Sequence, residues 1–149
     1  MRIKKDGILI IGDSDFCKMT KDALDLISEK DQHNFRRVKK FFRYIIQYKS
    51  SGADIVHKVF YVGNKTAFLF TDNMELSLLW YASCIIHDSI HVELFRRFNE
   101  GDMNKAERYE IYCCERQIKF LEKIGAPKEV IEMIHTSIKS RYWEKERTW

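Results

Sequence analysis

The sequence predicts an α+β fold, with helices packed on a small β-sheet. Three observations predict it. A four-residue apolar run, Ile8-Leu9-Ile10-Ile11, lies between Gly7 and Gly12 and reads as a short buried strand. Two runs rich in β-branched and aromatic residues, 55–62 and 66–71, flank Gly63-Asn64-Lys65 and read as a hairpin or two adjacent strands. Most of the remaining chain carries apolar residues at helical spacing. With 149 residues and a hydrophobic fraction of 45%, the chain has one domain's length and enough apolar material for a packed core. A single domain is expected, divided into an N-terminal strand and helices (1–50), a strand pair (51–72), the helices expected to carry the site (73–138) and a tail (139–149).

After the first strand, Asp13, Ser14 and Asp15 offer N-caps for a helix to about Glu29. Its apolar stripe is Phe16, Met19, Ala23, Leu24, Leu26 and Ile27. Asp31 or Asn34 opens a second helix, expected to run to Tyr48 and to break at Ser50-Ser51-Gly52. Its apolar positions are 35, 38, 41, 42, 45 and 46, with arginine and lysine on the opposite face. From Asp72-Asn73 onward, Leu76, Leu79, Trp80, Cys84, His87, Ile90, His91, Leu94, Phe95 and Phe98 define a long helix buried on much of its girth. Residues 99–102 read as a loop. Another long helix is expected from Met103 to Ile124, stopped by Gly125-Ala126-Pro127. A shorter one runs from Pro127 or Lys128 to about Lys139, before a tail with Trp143 and Trp149.

The formal net charge of +4 rests on 26 basic and 22 acidic side chains, too mild an excess to specify a polyanionic partner. The basic face of Arg36, Arg37, Lys39, Lys40 and Arg43 is therefore assigned to solvent rather than to nucleic acid. No apolar stretch approaches the roughly 20 residues that span a bilayer. The N-terminal apolar run is also shorter than the roughly 7–15 residues of a signal peptide. A cytoplasmic location is expected, with no membrane partner. Cys17, Cys84, Cys113 and Cys114 show no disulfide-scaffold spacing and are expected as free thiols.

One segment carries chemistry: His87-Asp88-Ser89-Ile90-His91. Histidines four apart on a helix share a face and can bind one tetrahedral metal ion. Asp88, next to the first histidine, stands where His-Glu-x-x-His zinc hydrolases carry their general base, one methylene shorter than glutamate. A hydrolytic zinc site needs a third ligand and an open position. The next helix offers Glu107, Glu110 and Glu115, of which Glu110 is in phase with the apolar stripe Cys113, Gln117, Leu121 and Ile124. A carboxylate on a buried face needs a partner, and a metal is one. Cys113 is a rival ligand that would close the site.

The segment from Trp80 to His91 resembles the active-site helix of zincin-like metallopeptidases, with an apolar run before His-(Glu/Asp)-x-x-His. The segment from Glu110 to Pro127 resembles their second helix: a Glu ligand, a small residue three later, Gln seven later, Leu eleven later, and a Gly-Ala-Pro end. The resemblance implies a single zincin-like domain and zinc held by His87, His91 and Glu110. It implies Asp88 as the base, a peptide or protein substrate, and a strand edge beside the active-site helix, expected at 66–70. Gln117 is a candidate outer-shell residue, and Tyr81, Tyr109, Tyr112 and His135 are candidate oxyanion stabilisers.

Ile85-Ile86-His87-Asp88 also fits the His-Asp dyad of HD-type phosphohydrolases, with His57 and Asp102 as further ligands and Asp88 on the metal. That reading leaves Glu110 unused and sets His57 in a strand, whereas HD domains are helical. A metal-binding or interaction domain without activity is the third reading. His33, His57 and His135 each stand alone and read as ordinary surface or hydrogen-bonded histidines.

Overall fold

The computed structural model describes residues 1–98 and 106–142, with the Ala106 side chain left out. The elements are β1 (Arg2–Lys5), β2 (Ile8–Ile11), α1 (Ser14–Lys30), α2 (Gln32–Phe41), β3 (Tyr44–Gln47), β4 (Gly52–Asp54) and β5 (Val59–Val62), then α3 (Asn64–Ala67), α4 (Met74–Phe98), α5 (Ala106–Lys123) and α6 (Lys128–Ser140). The fold is mixed α+β. The strands form one sheet in the order β1-β2-β3-β5-β4. Its centre, β2-β3-β5, is parallel, and the edge strands β1 and β4 pair antiparallel with their neighbours.

Register explains where the core sits. Ile10, Ile45 and Phe60 are paired in one row across the three central strands, and all three are fully buried. Each such side chain is worth roughly 1.5–3 kcal/mol of burial. The next rows point the other way, where Leu9, Ile11, Ile46 and Tyr61 are half-buried and Tyr44 is exposed. The buried row joins Phe16, Leu24 and Ile27 of α1, Phe35 and Val38 of α2, and Ile85 and Ile86 of α4 in one hydrophobic cluster.

Caps fix the helices to the sheet. The Asp13 side chain accepts from Phe16 N–H at 2.8 Å and also pairs with Gln47 at the end of β3. Gly12 has to be glycine, because a Cβ there would lie 2.4 Å from a Phe16 ring carbon and 2.9 Å from Gln47 Cβ. Asp31 does two jobs: its backbone N–H closes α1 on Ile27 O, and its side chain caps α2 through Asn34. Thr20 of α1 and Tyr81 of α4 share a buried hydrogen bond of 2.8 Å.

Three expectations are corrected. The second helix ends at Phe41, and Tyr44–Gln47 is the central strand β3. Apolar positions 41, 42, 45 and 46 suit either period, but Phe42 is already extended (φ −117°, ψ 119°) and Ile45 is needed between Ile10 and Phe60. The hairpin is β4–β5, turning at 55–58, and 66–71 is not a strand. β5 is already paired on both sides, so the chain after it leaves the sheet through the single turn α3. The expected substrate edge at 66–70 therefore does not exist, and the described sheet edges are β1 and β4. Finally, the 8–11 strand gains a partner, β1, through Asp6-Gly7, whose positive φ values (49° and 87°) suit a type I′ turn.

The expected loop at 99–102, including Asp102, and Trp143 and Trp149 lie outside the described residues. No described helix is long and apolar enough to cross a membrane. All four cysteines are free and buried.

Candidate metal centre

α4 packs against α1, α2, α3, α5 and α6. Its middle, from Tyr81 to Ile90, is buried except for Asp88, which is half-buried. This stretch is apolar nearly all round, so the helix has no solvent face there and its polar residues must find partners inside. His87 and His91, one turn apart, both turn toward α5, with ring centroids 4.8 Å apart.

Glu110 meets them from α5. Its Oε2 is 3.3 Å from His87 Nε2, its Oε1 is 3.1 Å from His91 Nε2, and the two Nε2 atoms are 3.1 Å apart. Glu110 is only 4% exposed. Cys113, fully buried one turn further along α5, is the next donor. One ligand atom from each of His87, His91 and Cys113 lies within 4.8 Å of the others, so these three residues could hold a metal ion. The carboxylate oxygens lie closer to the imidazoles than that limit.

A hydrogen-bond chain behind His87 sets its tautomer. Ser83 Oγ donates to Trp80 O at 2.7 Å, so it accepts from Gln117 Nε2 at 2.8 Å. That leaves Gln117 Oε1 as the acceptor for His87 Nδ1–H at 2.9 Å. In a neutral ring the proton is then on Nδ1, and the Nε2 lone pair points at His91 and Glu110. The lone-pair nitrogen of His87 and a carboxylate converging beside the His91 ring call for a positive charge.

The electrostatics agree. Burial pulls the His87 pKa down, but contacts with Cys114 and Glu110 outweigh it and hold the ring well above its ordinary value. Burial pushes Glu110 up, yet the two imidazoles keep it well below the usual carboxylate range. Burial raises Asp88; the imidazoles oppose this and Glu110 adds to it. No hydrogen bond contributes to the Asp88 shift. The Cys113 thiol is raised by burial and by Glu110 and Asp88.

No protein-family model, curated protein or solved structure matches the chain.

The geometry thus brings together His87, His91, Glu110 and Cys113, with Gln117 behind, while Asp88 follows His87 on α4 and is half-buried. It separates the other candidates. His57 sits on the β4–β5 turn, its side chain 74% exposed and hydrogen-bonded to Asp54, outside the donor cluster that the dyad reading gives it. Tyr81 is fully buried on Thr20. Tyr109 stacks on Phe98, and Tyr112 is exposed beside Arg116. His135 and His33 are exposed. The tyrosine that reaches the cluster is Tyr142, which the sequence analysis did not select. Its hydroxyl donates to Glu110 Oε2 at 2.7 Å and lies 3.5 Å from His87 Nε2. A signal existed: Val130, Ile134, Ile138 and Tyr142 continue one stripe at spacings of four. A cleft of about 50 Å³ is lined by Ile90, Leu94, Tyr112 and the Arg37–Glu93 pair. A larger one, about 210 Å³, lies elsewhere, between the start of α2 and Arg116, Lys119 and Lys123 of α5.

Proposed function

We propose that the chain is a zinc-dependent hydrolase of peptide bonds on the zincin-like plan its sequence resembles, with His87, His91 and Glu110 as ligands and Asp88 as base. The observation that carries this reading is the convergence of Glu110 on both imidazoles: the two Nε2 atoms are 3.1 Å apart, Oε1 is 3.1 Å from that of His91 and Oε2 is 3.3 Å from that of His87. A tetrahedron with metal–ligand bonds of about 2.0–2.1 Å has edges of about 3.3–3.4 Å. Two imidazoles and one carboxylate also match the donor set of hydrolytic zinc sites, which keep a fourth position open.

Zinc supplies Lewis acidity when bound: it polarises a carbonyl and makes water a better nucleophile near neutral pH. The chain's own residues do the rest. Gln117 holds His87 in the tautomer that presents Nε2. Asp88 follows His87 on α4, and burial raises its pKa, which makes it a better proton acceptor than a solvated carboxylate. It takes the proton of the attacking water and passes it to the leaving amine.

A second reading is favoured by Cys113, whose depth beside both histidines suits a closed, structural site. Elemental mass spectrometry of protein loaded with zinc at neutral pH separates the two. We expect about one zinc per chain in the wild type, lost in His87→Ala, His91→Ala and Glu110→Ala. Asp88→Asn is expected to keep zinc and to lose hydrolysis of an unfolded protein substrate. Zinc lost in Cys113→Ser but kept in Glu110→Ala favours the closed site. A wild type that takes up no zinc removes the metal reading altogether.

A further inference from the structure

Three observations meet at the C-terminal end of α6. Arg141 lies in the left-handed region (φ 50°, ψ 48°), a conformation that side-chain-bearing residues rarely adopt. Its guanidinium pairs with Glu107 of α5 at 2.9 Å. The next residue, Tyr142, donates its hydroxyl to Glu110 Oε2 at 2.7 Å and lies 3.9 Å from Cys114 Sγ. Glu107 and Glu110 are three apart and share a face of α5, so two consecutive residues after α6 grip two successive acidic side chains. The strained cap is what turns Tyr142 inward.

We infer that Tyr142 is a positioning residue: by holding Glu110 Oε2, its hydroxyl makes Glu110 a one-oxygen donor and couples the end of α6 to metal occupancy. The inference rests on the ligand set proposed above. A free carboxylate can bind zinc through both oxygens, which consumes the position a hydrolytic site keeps open. With Oε2 accepting from Tyr142, Oε1 remains as the donor nearest His91 Nε2, at 3.1 Å. Linkage makes the coupling reciprocal: if Tyr142 helps hold the metal, the metal holds the end of α6.

The test compares wild type with Tyr142→Phe, which removes one oxygen and keeps the ring. Folding of both metal-free proteins is checked first by circular dichroism. Zinc affinity is then measured by competition with a chromophoric chelator, and the coordination sphere is read from the visible spectrum of the Co²⁺-loaded protein. We expect affinity to fall about 10–100-fold, the range for loss of a metal-site outer-shell partner. The cobalt spectrum is expected to change, which a packing role alone would not cause. A readout independent of the variant is tryptic cleavage at Lys139 and Arg141, expected to slow when zinc is added to wild type. Equal affinity and an unchanged cobalt spectrum in the variant overturn the inference and leave the ligand set standing, as does cleavage indifferent to zinc. A wild type that binds neither metal overturns the ligand set, and the inference with it.

Discussion

Replacing Asp88 with asparagine removes a carboxylate whose charged form is disfavoured by burial and by Glu110. An acid whose native pKa is raised holds its proton more tightly when folded, so ionising it costs stability. That cost is absent below the unfolded pKa, about 3.9, and complete above the native one. Metal-free Asp88→Asn is therefore expected to melt above wild type at pH 7, with the gap closing as the pH falls toward about 4. Thermal unfolding in chelator across that range checks it, and a gap that is constant or reversed contradicts it. A carboxylate whose charged form is disfavoured by burial, next in sequence to a candidate metal ligand, is the pattern expected of a functional group. His87, Asp88 and His91 were legible in the sequence because their relation is local, set by one helical turn. Glu110 was legible from its phase with Cys113 and Gln117. Tyr142 was not selected, because its place depends on how α6 crosses α5 and on a left-handed cap at Arg141 that arginine does not advertise.

At the level of elements, Asp31 links α1 to α2, and its loss should cost more than a surface substitution. Asp31→Ala is expected to destabilise by about 1 kcal/mol, the usual worth of an N-cap. Burial pushes the Asp31 pKa up, but its bonds to Asn34 and the nearby Lys123 prevail and leave it lowered. Its contribution is therefore present above the unfolded pKa and lost as the pH falls through the lower native value. Chemical denaturation of wild type and variant at pH 7 and near pH 2 should show a difference at the first that shrinks at the second. α1 and its cap followed from Asp13 and the stripe behind it. The middle of the sheet did not, because Phe41-Phe42-Arg43-Tyr44-Ile45-Ile46 satisfies a helical period as well as a strand's. Only parallel pairing with Ile10 and Phe60, residues far apart in sequence, decides it. The hairpin was placed one turn late for a similar reason: Gly63-Asn64 reads as a strand turn, but β5 had already used both its edges.

For the whole molecule, a metal that binds only the folded chain would stabilise it. Zinc at about 100 times its dissociation constant adds about 2.7 kcal/mol if it binds only the folded chain. For a chain of about 150 residues that is an upward shift of roughly 5–10 °C in melting temperature. Scanning fluorimetry with zinc, and with excess chelator, reads it directly, and a shift of the same size in His87→Ala would mean binding elsewhere. The α+β class was legible because composition and periodicity are averaged over the whole chain. Strand order was not, since it rests on contacts that no local window contains. The Thr20–Tyr81 bond gives the molecule a further property. It joins residues 61 positions apart with no water in reach of either hydroxyl, one on the helix that seals the sheet and the other two turns before His87. Parting α1 from α4 strands both groups, so the two helices open together and their backbone amides should exchange with deuterium at a common free energy. The donor cluster cannot then be excised as a helical peptide: cut away from the sheet, it loses the frame that aims its histidines.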